Sequence, residues 1–300
     1  MRILVTGSSG LIGSALVPFL TTGGHRVIRL VRAQSQTPTL GESWGWDPER
    51  GTILSAGRDE PEAVVHLAGE NIAAARWTQR QKALIRDSRV KGTRVLSDLI
   101  GRRSPPPRAL VCASAVGYYG DRGDEILREE SASGSGFLPD VCREWEAACQ
   151  PAADKGIRVV NLRIGVVLSP AGGALAKMLT PFKLGAGGVI GSGRQYMSWI
   201  ALDDVVSAIH VALTLDSLRG PVNVVAPNPV TNREFTRTLG RVLSRPTLFP
   251  MPAFVARLAL GEMADALLLA STRVEPAHLL ATGFAFRYPD LEGALRHLLD

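Results

Sequence analysis

Three hundred residues, 45 % hydrophobic and 21 % charged, suffice to bury a core without disulfides or metals, as an ordinary globular protein does. The formal charge of +6 is scattered, with no long basic tract and no recognition-helix or zinc-finger spacing. Nucleic acid is therefore not an expected partner, and the charge either favours anionic small ligands or reflects composition alone. No apolar run approaches a membrane span and no secretory signal opens the chain, so no membrane association is expected. Cys112, Cys142 and Cys149 lack framework spacing and point to a reducing, cytoplasmic setting.

Residues 2–6 form the first expected strand and 11–22 the first helix. A strand at 25–32 precedes an irregular stretch, 33–62, punctuated by Pro38, Gly41, Pro48, Gly51 and Pro61. "AVVHLAG" (63–69) and "RALVCASA" (108–115) read as buried strands flanking a helix over 78–101. A polar loop at 120–136 leads to a helix over 137–156, then to a strand with its extension at 157–168. Further on, helices are expected at 173–184, at 203–215 with Asp203 and Asp204 as caps, and at 231–244 capped by Thr231 or Asn232. A strand lies at 221–227, and 245–300 is mainly helical. Alternating strands and helices predict an α/β fold: a Rossmann doubly wound parallel sheet with a smaller, mostly helical substrate lobe. Residues 1–164 plus about 201–227 would form the sheet domain, and about 165–200 with 228–300 the lobe.

"ILVTGSSGLIGSALVPFL" (3–20) places glycines at Gly7, Gly10 and Gly13 between a strand and a helix. Gly7 permits a tight turn, Gly10 lets the backbone approach a pyrophosphate, and Gly13 lets the helix pack closely on the strand. The helix N-terminus then offers free N–H groups and its positive dipole end to the phosphates. The second strand closes on Arg32, with Ser35 nearby, where an acidic residue would bind the ribose of NAD. A guanidinium pairs with a 2′-phosphate instead, so the expected cofactor is NADP(H).

The Gly-x-x-Gly-x-x-Gly spacing after "VTG", with "HLAG" (66–69), "SRVKGT" (88–93), "ASAVGYYG" (113–120), "NLRIGVVLSP" (161–170) and "SWIALDDVVSAI" (198–209), resembles the extended short-chain dehydrogenases/reductases. "GENI", "WEAA", "GSGRQYMSWI" and the tail "RVEPAHLLATGFAFRYPDLEGALRHLL" bring the chain closest to that family's atypical, epimerase-like subgroup. The resemblance covers essentially the whole chain. It implies a cofactor surface of Gly7, Ser9, Gly10, Leu11, Ile12, Gly13, Arg32, Leu67, Ala68 and Val167. Arg89 is either a further cofactor contact or a surface salt-bridge partner.

The same resemblance implies a hydroxyl, a tyrosine and a lysine as the catalytic set. Ser114 matches the hydroxyl, which would orient a substrate carbonyl. The Tyr-x-x-x-Lys pair is absent: with Glu146 as the anchor, Leu138 and Cys142 occupy its positions. Tyr118 is the replacement acid/base candidate, with Tyr119 beside it. Glu70, Asn71, Arg194 and Gln195 are candidate substrate contacts, each with a structural alternative. The five histidines show no metal spacing, and no metal is expected. Two functions remain open. One is an oxidoreductase or epimerase on a small, anionic or nucleotide-linked substrate; the other is an NADPH-sensing regulator that binds a protein partner. The oligomeric state is open, a homodimer included.

Overall fold

The structure, a computed structural model, describes residues 1–32, 42–48, 50–54 and 60–300. The first half of the chain runs β1 (Arg2–Thr6), α1 (Leu11–Thr22), β2 (Arg26–Arg32), β3 (Ser43–Asp47), β4 (Thr52–Leu54), β5 (Ala63–His66), α2 (Gln79–Gly101), β6 (Ala109–Ala115), β7 (Ile126–Leu127), α3 (Phe137–Ala147) and α4 (Gln150–Ala153). It continues through β8 (Arg158–Ile164), β9 (Val166–Leu168), α5 (Gly173–Lys183), β10 (Tyr196–Met197), β11 (Trp199–Ala201), α6 (Leu202–Thr214) and β12 (Gly220–Val224). The last part holds β13 (Val230–Thr231), α7 (Asn232–Val242), α8 (Ala253–Leu260), α9 (Glu262–Ala264), β14 (Arg273–Val274), α10 (Ala277–Ala281) and α11 (Leu291–Leu299).

Eight strands form the main sheet in the order β4-β3-β2-β1-β5-β6-β8-β12, parallel throughout except for β4 on β3. Strands of a parallel sheet covered on both faces are apolar without alternation, and β1, β5 and β6 are buried almost end to end. α1 packs beside α6, and α2 beside α3 and α4. The chain leaves β1 toward β2 and β3, then returns to β5 on the other side of β1. The order reverses there, so the carboxyl ends of β1 and β5 frame the crevice where α/β sheets bind ligands.

A second apolar cluster gathers Leu168, Leu175, Leu179 and Phe182 with Trp199, Phe235, Leu239, Leu291 and Leu295. The segment before α11 divides its loyalty, since Leu279, Phe284 and Phe286 pack on the main core.

Four expectations are corrected. The stretch read as irregular holds β3 and β4: "SWGWD" alternates, burying Trp44 and Trp46 and extending the sheet beyond β2. The helix expected over 137–156 breaks at Ala148 and Cys149 into α3 and α4. The 120–136 loop contributes β7, which pairs with β14 of the C-terminal segment. Asp204 does not cap α6; it is fully buried and accepts the backbone N–H groups of Arg287 and Tyr288 at 2.8 and 3.1 Å. Burial pushes its carboxyl upward, against those two bonds. Thr231 forms the expected cap of α7, in a capping box with Glu234.

Candidate functional site

The chain turns sharply after β1 at Gly7, which has φ of +66°. A Cβ there would stand 2.7 Å from the carbonyl carbon of Leu67, so the loops following β1 and β5 meet backbone to backbone. A Cβ on Gly13 would stand 2.2 Å from the Gly7 carbonyl oxygen, which is how closely α1 sits on the turn. Gly10 differs: its N–H donates to Gly7 O at 3.0 Å, but only that oxygen lies near its Cβ position, and the residue is exposed. α1 has neither a side-chain cap nor an acidic residue in its first turn, which leaves its positive end free beside exposed Ser9. Leu11 and Ile12 are half-buried in that turn. A Cβ on Gly172 would meet Leu11 Cδ1 at 3.3 Å, and one on Gly173 would meet Val167 O at 3.5 Å. The strand carrying Val167 and the start of α5 therefore reach the edge where the glycine turn lies.

Thr6 ties the crevice together. Its Oγ1 accepts the N–H groups of Leu67 and Ala68 at 3.1 and 3.2 Å and lies 2.7 Å from His66 Nδ1. With both lone pairs engaged, the hydroxyl donates its single proton to Nδ1, which leaves the imidazole proton on Nε2. His66 is completely buried, its Nε2 has no partner, and burial pushes its pKa down to about 4. It is a neutral core histidine set against the Trp46 ring, with centroids 6.2 Å apart.

Arg32 ends β2 exposed, and none of the described residues pairs with its guanidinium. Ser35 lies outside the described residues. Arg89 is half-buried and forms no salt bridge among the described residues: its Nη1 donates to Glu70 O at 2.9 Å and Ile85 O at 3.2 Å, and its guanidinium lies 5.0 Å from the Trp145 ring. A Cβ on Gly69 would stand 3.3 Å from its Cζ, so Arg89 shapes the loop that carries Leu67 and Ala68. Asn71 caps the segment that follows, accepting from Ala73 N. Buried Gln195 spends its amide on Ile190 O and Leu268 O, whereas Arg194 is exposed.

A polar chain starts at Ser114, near the carboxyl end of β6. Ser114 Oγ donates to Glu146 Oε1 at 2.7 Å. Both carboxylate oxygens of Glu146 accept from one edge of Arg163, Nε at 2.8 Å and Nη2 at 2.9 Å, and Arg163 Nη1 donates to the Tyr119 hydroxyl at 3.0 Å. Tyr119 Oη in turn lies 2.7 Å from Asn223 Oδ1 and 2.9 Å from Arg128 O. Arg163 is 3 % exposed and Tyr119 fully buried, where burial pushes the phenol up to about 12. Tyr119 is thus a fixed structural hydroxyl. Tyr118 is half-exposed in a single 3-10 turn, its ring 3.5 Å from the Arg163 guanidinium carbon, and no hydrogen bond to a described residue engages its hydroxyl.

This network changes the expectation for Ser114. A hydroxyl has one proton, and here an ionised carboxylate takes it. Bound in this way, Ser114 presents its lone pairs to the crevice while its proton points at Glu146. Leu138 and Cys142, expected at the positions of the tyrosine–lysine pair, pack on Gly117, and burial pushes the Cys142 thiol up to about 12. Glu146 and Arg163 escaped the sequence reading as functional residues. Their signal was an arginine inside an apolar strand with both faces covered, which demands a buried acid.

A family model described as NAD dependent epimerase/dehydratase matches residues 3–225. The chain belongs to the NAD-dependent epimerase/dehydratase family. A second model, described only as a domain of unknown function, matches residues 251–298. Among relatives, an epimerase family protein of Mycobacterium tuberculosis is 45 % identical over 293 residues, 98 % of this chain and 96 % of its own. The human epimerase family protein SDR39U1 is 36 % identical, with both chains covered in full. The crystal structure of its isoform 2 with NADPH superimposes with a TM-score of 0.91 over 99 % of each chain. A UDP-glucose 4-epimerase of Thermotoga maritima, solved with UDP-glucose, shares the fold at a TM-score of 0.77 and 20 % identity, covering 99 % of this chain and 97 % of its own.

Proposed function

We propose that this epimerase-family protein binds NADP(H) at the β1–β5 crevice and acts as an oxidoreductase or epimerase on a small, anionic or nucleotide-linked substrate. The observation that carries the cofactor reading is the exposed, uncapped start of α1 behind a glycine turn that only backbone can occupy. The donor set fits the group: free N–H groups and Gly10 face a pyrophosphate, and Arg32 in place of an acid suits a 2′-phosphate. NADPH in the human relative supports the same choice. Ser9, Leu11 and Ile12 line the turn, Leu67, Ala68 and Val167 the walls, and Arg89 holds the Leu67–Ala68 loop in place. Residues 1–164 with about 201–227 serve as the cofactor domain, and about 165–200 with 228–300 as the substrate lobe. The second apolar cluster, drawn mostly from the lobe segments, supports that division, while Leu279 packs on the main core.

When bound, the dinucleotide supplies or accepts hydride. Ser114, held as an acceptor by Glu146, takes a hydrogen bond from a substrate hydroxyl and orients it. Tyr118 remains the one phenol of the motif with an uncommitted hydroxyl among the described residues, and it is the acid/base candidate. Its ring lies on the Arg163 guanidinium, which fixes where the phenol stands. The absence of a tyrosine–lysine pair, with Leu138 and Cys142 in its place, favours a second reading: an NADPH-sensing regulator that contacts a protein partner. Titration with NADPH and NADH, followed by nicotinamide fluorescence, tests the cofactor reading on wild type and Arg32→Ala. NADPH should bind at least about tenfold tighter than NADH, about 1.4 kcal/mol, and Arg32→Ala should abolish that preference. Equal affinities in wild type, or no binding, would refute it. Hydride exchange with any small alcohol or carbonyl then separates enzyme from regulator.

A further inference from the structure

The hydroxyl network ends beside an acidic group with an unfilled position. Glu129 follows β7 and is 3 % exposed. Its Oε1 accepts two backbone N–H groups, from Asn223 of β12 at 2.9 Å and from His278 of α10 at 3.1 Å. Its Oε2 is buried and has no hydrogen-bond partner among the described residues. A buried carboxylate oxygen left bare is costly, and in a folded protein it calls for an occupant. The neighbours suit a cation. A ligand atom from each of Glu129, Glu130 and His278 lies within 4.8 Å of the others. His278 Nδ1 lies 2.9 Å from Pro221 O, an acceptor, so Nδ1 carries the proton and Nε2 keeps its lone pair. A backbone carbonyl on the far ring nitrogen is the usual support of a metal-binding imidazole. The nearby cations are already paired, Arg128 with Glu275 at 3.0 Å and Arg163 with Glu146 at 2.8 Å, so they do not neutralise the two carboxylates.

We infer that Glu129, Glu130 and His278 form a site for one divalent transition-metal ion of the zinc class. One imidazole and two carboxylates are ligands such an ion accepts, with water completing the shell. The ion would tie the segment after β7, which carries Glu129 and Glu130, to α10 of the C-terminal segment. Histidine spacing could not reveal it, because the donors come from residues 129, 130 and 278 and meet only in the fold.

The test is calorimetric titration of the full, chelator-stripped chain with zinc chloride near pH 7. His25 and His210 offer a rival pair, with Nε2 atoms 3.3 Å apart, so the titration is run in a His25→Ala background. The expected result is one saturable equivalent of zinc, weakened at least tenfold by His278→Ala and equally by Glu130→Gln. Glu130 is exposed, so its substitution leaves folding intact and keeps the test decisive. Zinc should also raise the melting temperature of the His25→Ala protein and not that of the His278→Ala double variant. Absence of saturable binding in the His25→Ala protein overturns the inference, as does unchanged affinity in either site variant.

Discussion

Gly10 and Gly13 stand three residues apart in one turn, and alanine at each should fail differently. At Gly13 the new methyl would sit 2.2 Å from Gly7 O and 2.7 Å from Ser8 Cα, both backbone atoms that cannot swing away. Ordinary contact begins more than an ångström farther out, so α1 must lift from the turn. Overpacking of that kind costs about 1–3 kcal/mol, which in a chain of this size lowers the melting temperature by roughly 2–5 °C. At Gly10 the nearest atom is 3.3 Å away and φ is −76°, which alanine adopts without strain. The fold then loses only the difference between glycine and alanine as a helix cap, about 1 kcal/mol or less. The methyl instead fills the space a pyrophosphate needs. Gly10→Ala should therefore melt within about 2 °C of wild type and bind NADPH at least about tenfold more weakly. Differential scanning fluorimetry and nicotinamide fluorescence, run on both variants, separate the two effects. Wild-type NADPH affinity in a folded Gly10→Ala protein would refute the assignment of this turn to the cofactor.

Two further outcomes follow from buried groups. His66 has a pKa of about 4 in the fold, against 6.5 in an open chain, so the unfolded state takes up the proton first as pH falls. Its neutral form contributes fully above pH 6.5, and about 3 kcal/mol of stability disappears between there and pH 4. Urea unfolding from pH 7.5 to 4 should show a shallower decline for His66→Asn than for wild type, and parallel curves would contradict the argument. Arg163→Met strands the Glu146 carboxylate and leaves Tyr119 Oη and Glu129 O without that donor. Loss of one partner of a buried pair costs about 3–5 kcal/mol. A loss below about 1 kcal/mol in urea unfolding would show that the pair is not structurally important.

Local signals in the sequence were enough for the sheet and the glycine turn, because buried parallel strands read as apolar runs and the turn lies within a dozen residues. β3 was missed although "SWGWD" alternates, since the prolines and glycines around it outweighed five residues of pattern. Asp204 sat where a helix cap belongs, and nothing local announced that its partners are the N–H groups of residues 287 and 288. The same distance hid the Ser114–Glu146–Arg163 chain, where Glu146 served as an alignment anchor and Arg163 as part of a strand motif. The role of Ser114 turned on which neighbour takes one proton, and that is a matter of tertiary contact.

The second apolar cluster has a consequence for the order of assembly. All eight strands of the main sheet have been synthesised once residue 224 has emerged. Leu175, Trp199, Phe235 and Leu239 must then wait for Leu291 and Leu295, which are translated well after residue 224. At typical translation speeds that gap is several seconds. Contacts so distant along the chain also close slowly. During that interval the paired strands lack Leu279, Phe284 and Phe286 over the main core as well as Leu291 and Leu295 over the second cluster, and truncation before residue 279 would leave both apolar faces bare.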